Sequence, residues 1–91
     1  MRARPGEEAR VRELLDSLVA YYAQQPGFIK GYRLEATGPD GSFGRIGIWE
    51  REEDAERAAQ TDRDLALRSQ LNMSLLDHAE HAFNGVESPP A

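Results

Sequence analysis

The sequence predicts an α+β fold, an antiparallel ferredoxin-like sheet with two helices on one face, and three observations carry that prediction. An amphipathic helix is stopped by Pro26-Gly27. The run Phe28-Ile29-Lys30-Gly31-Tyr32-Arg33-Leu34 is joined through Pro39-Asp40-Gly41 to a second apolar run that ends in Trp49-Glu50. A charged helix follows, and helix, strand, turn, strand, helix describes half of such a unit.

The first helix is expected over residues 6–25, because Val11, Leu14, Leu15, Leu18, Val19 and Tyr22 recur at three- and four-residue spacing and form one stripe. Glu7 and Glu8 suit its first turn, where the helix dipole favours anions. Over 28–37 the apolar residues Phe28, Tyr32, Leu34 and Ala36 fall mostly on even positions, with Lys30 as the exception, which predicts a strand with one better-buried face. The next strand, 43–50, sets Ile46 and Ile48 on one face and Phe43, Gly47 and Trp49 on the other, and is the candidate central strand. Glu52, Glu53 and Asp54 open a second helix expected to reach residue 70, with Ala55, Ala58, Ala59, Leu65 and Ala66 on its inner stripe. Glu53/Arg57 and Asp64/Arg68 read as its exposed i,i+4 pairs. Leu71, Met73, Leu75 and Leu76 continue as an irregular or short helical segment, and 78–87 is the expected last strand.

At 91 residues the chain makes one domain, expected over 1–87, with Ser88-Pro89-Pro90-Ala91 as a flexible tail because consecutive prolines cannot donate to a ladder. It is 40% hydrophobic and 30% charged, with a mean hydropathy of -0.65, the composition of a globular chain rather than a disordered or membrane one. No apolar run approaches the ~20 residues that cross a bilayer, and the Arg- and Glu-rich start is not a signal peptide, so a cytoplasmic location is expected. Zero cysteines exclude disulfides, thiolate metal sites and cysteine nucleophiles. Eleven basic residues against sixteen acids give a net charge of -5, a field that repels nucleic acid and anionic membranes, so neither is an expected partner.

Two helices cover one face of the sheet. Given the period of two, Phe43, Ile46, Ile48, Tyr32 and Phe83 cannot all point toward them, and a two-fold dimer packed sheet on sheet is the economical cover for the rest.

The order Arg4-Pro5-Gly6, helix, Gln25-Pro26-Gly27-Phe28 with Gly31-Tyr32, then Ile48-Trp49-Glu50 and Glu53-Asp54-Ala55 resembles the antibiotic biosynthesis monooxygenase family over residues 4–71. That resemblance implies a dimeric α/β barrel, a homodimer with a cavity between helices and sheet in each subunit. Family members use the cavity for cofactor-free oxygenation of aromatic polyketides or for haem breakdown. Haem-degrading relatives carry a further Trp and a His where this chain has Ala58 and Arg68, and draw an Asn from a first strand, so haem breakdown is disfavoured and no cofactor is expected. Only Met1, Arg2 and Ala3 precede Arg4-Pro5-Gly6, so the first strand is expected to be short or missing. Arg51, where relatives have a small capping residue, cannot cap the second helix as Ser or Asp would.

The functional expectation is a cofactor-independent monooxygenase acting on a small hydrophobic or aromatic ligand, and the alternative is a non-catalytic dimeric binding or assembly module of the same fold. Oxygenation without a cofactor needs an aromatic-lined pocket, help with deprotonation, and stabilisation of the resulting anion beside oxygen. Trp49, Tyr32, His78 and Asp62 are the candidate catalytic residues, and Arg33, Phe28, Asn72 and His81 the candidate ligand-binding residues. Each has a plainer reading. Trp49 and Tyr32 are the residue types that fill cores, Arg33 suits a surface ion pair, and Asp62, the one acid placed on the alanine stripe, suits capping or an arginine partner. Asn72 has nothing around it that singles it out. His78 and His81 are three residues apart with no third ligand type nearby, so no metal site is expected.

Overall fold

The computed structural model describes residues 1–38, 41–81, 83 and 85. Its elements run β1 (Arg2–Ala3), α1 (Glu8–Tyr22), β2 (Phe28–Glu35), β3 (Phe43–Trp49), α2 (Glu52–Ala59), α3 (Asp62–Met73) and β4 (Leu75–Asp77). Pro39 and Asp40 of the expected turn, and the expected tail at 88–91, lie outside the described residues. The α+β class is as expected, with three helices among the described residues in place of two. Among the described residues no helix is long and apolar enough to cross a membrane.

β2 and β3 form an antiparallel hairpin, and β1 pairs antiparallel with β4. The two ladders meet through an Arg2–Ser42 bridge and two hydrogen bonds: Phe43 N–H to Met1 O at 2.7 Å, and the Met1 ammonium to Phe43 O at 3.0 Å. The spatial order is therefore β4-β1-β3-β2, the ferredoxin-like arrangement. β1 is the short first strand expected from the sequence. The last strand differs from expectation: β4 is Leu75–Asp77, residues 78–81 are not strand, and residues 82, 84, 86 and 87 of the expected 78–87 strand lie outside the described residues.

α1 lies across the inner face with Val11, Leu14, Leu15, Leu18 and Tyr22 buried, as the apolar stripe predicts. They pack with Phe43, Ala58, Leu67, Leu71 and Leu75, each buried Val, Leu or Phe side chain contributing about 1.5–3 kcal/mol by leaving water. α1 ends at Tyr22, ahead of Pro26, and Gly27 takes a φ of +85° that lets the chain reverse into β2. A Cβ at Gly27 would collide with the Asp54 carboxylate.

The better-buried face of β2 is not the even-numbered apolar set. A bulge between Phe28 and Lys30 inserts one residue, so Phe28 joins Gly31 and Arg33 toward α1 while Tyr32 and Leu34 face away. Arg33 Nη1 meets Asp16 of α1 at 2.8 Å, and Arg12 of α1 meets Glu35 at 2.7 Å. Phe43, Arg45 and Trp49 of β3 look inward, with Gly47 between them. The outer face is apolar and open, with Tyr32 directly opposite Ile46 and both about half exposed (49% and 47%), beside Leu34 and Ile48.

The single second helix expected to reach residue 70 is two helices. Thr61 caps α3, its Oγ1 accepting from Asp64 N–H at 3.3 Å, and the break at Gln60 and Thr61 resets the helical phase. Asp64, Leu67 and Leu71 therefore turn inward, whereas Leu65 and Ala66, assigned to the inner stripe, are exposed.

Candidate functional site

Where the C-terminal end of α1, the inner face of β3 and α3 meet, an aromatic wall borders a buried polar cluster. The wall is Trp49, edge-on to Tyr22 at 5.7 Å between ring centres and to Phe28 at 5.0 Å, with Tyr21 6.0 Å from Tyr22. Asp64 is 0% exposed, and a carboxylate so placed requires partners for its charge. It accepts from Tyr22 Oη and from Arg68 Nε, the latter at 2.6 Å. Arg68 also donates from Nη2 to Ala59 O at 3.1 Å. Tyr21 Oη donates to Thr61 Oγ1 at 2.6 Å, tying α1 to the α2–α3 junction.

Electrostatics fix the protonation states of this cluster. Burial, then the hydrogen bond to Asp64, push the Tyr22 phenol well above its ordinary value of 10.0, so it remains a neutral donor and not a base. Burial alone would lower the Arg68 guanidinium, but its hydrogen bond to Asp64 and the charges of Asp64 and Glu80 outweigh that and hold it above its ordinary value.

Outward from the cluster lies a shallow cleft of about 290 Å³ lined by Met1, Phe43, Gly44, Arg45 and the segment from Ala79 to His81 with Phe83. Arg45 places its guanidinium 5.1 Å from the centre of the Tyr22 ring. Its Nη2 lies 3.6 Å from Glu80 Oε1, Arg68 Nη1 lies 3.6 Å from Glu80 Oε2, and His78 Nε2 lies 3.3 Å from Glu80 Oε1. The cleft is thus lined by one guanidinium (Arg45), one carboxylate (Glu80) and the His81 imidazole, and Glu80 links it to Arg68 and His78 just outside.

The residues expected from sequence divide between this site and elsewhere. Phe28 and Trp49 form the wall, His78 reaches the rim through Glu80, and His81 lines the cleft. Tyr32 sits on the open outer face, away from the inner cluster. Arg33 is inward but held by Asp16 and Glu35. Asn72 is exposed, in a separate depression of about 220 Å³ with Leu75, Leu76, Asp77 and His78. Asp62 is exposed at the start of α3, and the buried acid is Asp64, which sequence reading had paired with Arg68 on the solvent side. Tyr22, Arg45, Asp64, Arg68 and Glu80 are the site residues that the sequence expectation missed. Thr61 followed three residues later by Asp64 is a helix-start signal that would have exposed the break and re-phased Asp64 inward. No comparable signal marks Arg45 or Glu80.

The fold has counterparts among known proteins. Residues 1–68 match the family model for antibiotic biosynthesis monooxygenase. Among solved structures, SnoaB, a cofactor-independent oxygenase from Streptomyces nogalater, superposes with a TM-score of 0.79 at 24% identity, over 92% of this chain and 85% of that one. A mutant of the same oxygenase gives 0.83 at 23% identity, over 99% and 90%. A conserved protein from Methanosarcina mazei Go1 gives 0.78 at 15% identity, over 87% and 78%. At these identities the likeness is one of fold. No curated protein matches the chain by sequence.

Proposed function

The chain belongs to the antibiotic biosynthesis monooxygenase family, and from that premise we propose that it is a cofactor-independent monooxygenase acting on a small hydrophobic or aromatic substrate. The observation that carries the reading is the row of inner-face aromatics, Phe28, Trp49 and Tyr22, whose Tyr22 end lies under the Arg45 guanidinium and shares Asp64 with Arg68. An electron-rich aromatic methylene that gives up a proton becomes an enolate, and the arginines stabilise its oxygen while the wall holds its rings. In this reading His78 takes that proton, a role supported by its imidazole lying 3.3 Å from Glu80 at the edge of the cleft. Oxygen then supplies one atom to a new carbonyl and loses the other as water, a four-electron oxidation of the methylene carbon that needs no outside reductant.

The same reading includes a homodimer. The outer face with Tyr32, Leu34, Ile46 and Ile48 is the apolar surface that a second copy would cover, closing an α/β barrel by sheet-on-sheet packing.

Anthrone is a direct probe, since anthrone plus oxygen gives anthraquinone plus water. Oxygen uptake matched by quinone absorbance, abolished by Trp49→Phe and by His78→Gln in variants that stay folded, is the expected result. Variants that lose stability but not turnover would make both residues structural. No uptake by the wild-type chain would leave the non-catalytic dimeric module as the better reading.

A further inference from the structure

The cleft contains a contrast between tightly held cations and a loosely held anion. Arg68 is fixed at two of its three nitrogens, by Asp64 at 2.6 Å and by Ala59 O at 3.1 Å, which leaves Nη1 directed at Glu80. Arg45 lies over the buried Tyr22 ring, with its side chain 21% exposed. Glu80, by contrast, is 44% exposed on a segment without regular structure, and its carboxylate stands 3.6 Å from each arginine, near enough for charge attraction and too far for hydrogen bonds. Three cationic or titratable side chains, Arg45, Arg68 and His78, converge on it. A planar oxyanion set between the same two guanidiniums would gain charge-assisted hydrogen bonds that Glu80 does not make.

We infer that Glu80 is an internal competitor: its carboxylate occupies an oxyanion seat formed by Arg45 and Arg68, and an aromatic ligand bearing a carboxylate or enolate oxygen displaces it. This deepens the oxygenase reading by naming the charge of the substrate, and rests on it only in placing the substrate in this cleft. With Glu80 in place the arginines are neutralised without being consumed, so the cluster tolerates its own positive charge until a ligand arrives. The competitor is weak by construction, since two long, partly exposed ion pairs favour the occupied seat by a factor of roughly 3 to 10.

The test is calorimetric titration of the full chain with 2-naphthoate, with 2-naphthamide as the neutral ligand of the same shape. Glu80→Gln keeps the size of the side chain and removes its charge. It is expected to tighten 2-naphthoate roughly 3- to 10-fold and to leave 2-naphthamide unchanged within about twofold. Adding Arg45→Met to Glu80→Gln is expected to reverse the gain by roughly tenfold or more. Unchanged or weaker 2-naphthoate binding by Glu80→Gln overturns the inference, as does an equal gain for 2-naphthamide, which would mean that Glu80 merely covers an apolar cleft. Absence of 2-naphthoate binding in both proteins overturns the seat itself. Binding is read without oxygen chemistry, so a protein that shows the exchange but consumes no oxygen refutes the oxygenase reading and leaves this one standing.

Discussion

Asp64→Asn should be the most costly single-atom change in the protein. The substitution preserves shape and removes one charge at a site that is 0% exposed, where the native carboxylate accepts from both Tyr22 Oη and Arg68 Nε. An amide has only one oxygen, so its NH2 must face one of the two donors, and Arg68 loses its closest counter-charge. Breaking a buried pair costs about 3–5 kcal/mol when the remaining charge is dry. Here the Arg68 side chain is 26% exposed and still near Glu80, so water screens it and the expected loss falls to about 2–3 kcal/mol. For a domain of this size that lowers Tm by roughly 10–20 °C. Asp62→Asn, at the exposed neighbouring acid, should stay within about 0.5 kcal/mol. Urea and thermal unfolding followed by the fluorescence of Trp49, the single tryptophan, measure both. A loss below about 1 kcal/mol for Asp64→Asn, or equal losses for the two variants, would refute the assignment of the buried acid to Asp64.

The phenol of Tyr22 is raised in the folded state, so its stabilising contribution is complete below the ordinary value of 10.0 and is lost as pH climbs through the folded value. Urea midpoints measured from about pH 9 to 11 should therefore fall more steeply in the wild type than in Tyr22→Phe, and parallel slopes would contradict this. Gly27→Ala places a side chain at φ +85° and against Asp54, and should cost about 1–2 kcal/mol from the backbone alone. Gly6→Ala at φ +84° meets nothing within 4 Å, so a larger loss at Gly27 isolates the clash, and equal Tm shifts would remove it. Ile46→Lys on the outer face should convert a dimer to a monomer of unchanged far-ultraviolet circular dichroism, read by native mass. A wild-type monomer would sink the sheet-on-sheet proposal.

The hairpin and α1 were legible because periodicity and punctuation agree there: an apolar stripe from Val11 to Tyr22, Pro26-Gly27 as the stop, and alternating residues after it. β2 was read on the wrong face because one bulge residue reverses the alternation, and no composition rule places a bulge. The second helix was read as continuous because Ala58, Ala59 and Leu65 fit one stripe across the break, although Thr61 and Asp64 carry the start signal of a new helix. That single error of phase moved the buried carboxylate from Asp64 to Asp62 and hid the inner site. Phe28 and Trp49 could be named from sequence because large aromatics at strand ends go inward. Arg45 and Glu80 could not, since they meet through a segment whose course the local sequence does not dictate.

The cleft lies where β3 has a strand neighbour on one side only. β3 pairs with β2 along its whole length on one side, but on the other side it meets the first ladder only around Arg2 and Ser42, beside the Met1–Phe43 hydrogen bonds. A longer β1 would run alongside Gly44 and Arg45 and draw the segment beyond Asp77 into the sheet, and the cleft would then be replaced by ladder hydrogen bonds. With two residues in β1, the chain instead carries His78 and Glu80 across the gap as an irregular segment, and Arg45 has side-chain charge rather than strand pairing as its neighbour. The feature that weakens the sheet therefore also opens its interior to a ligand. Extending pairing in this region, for instance by a disulfide between residues of β3 and the segment after Asp77, should raise Tm and abolish 2-naphthoate binding together. A gain in Tm with binding intact would separate the cleft from the short strand.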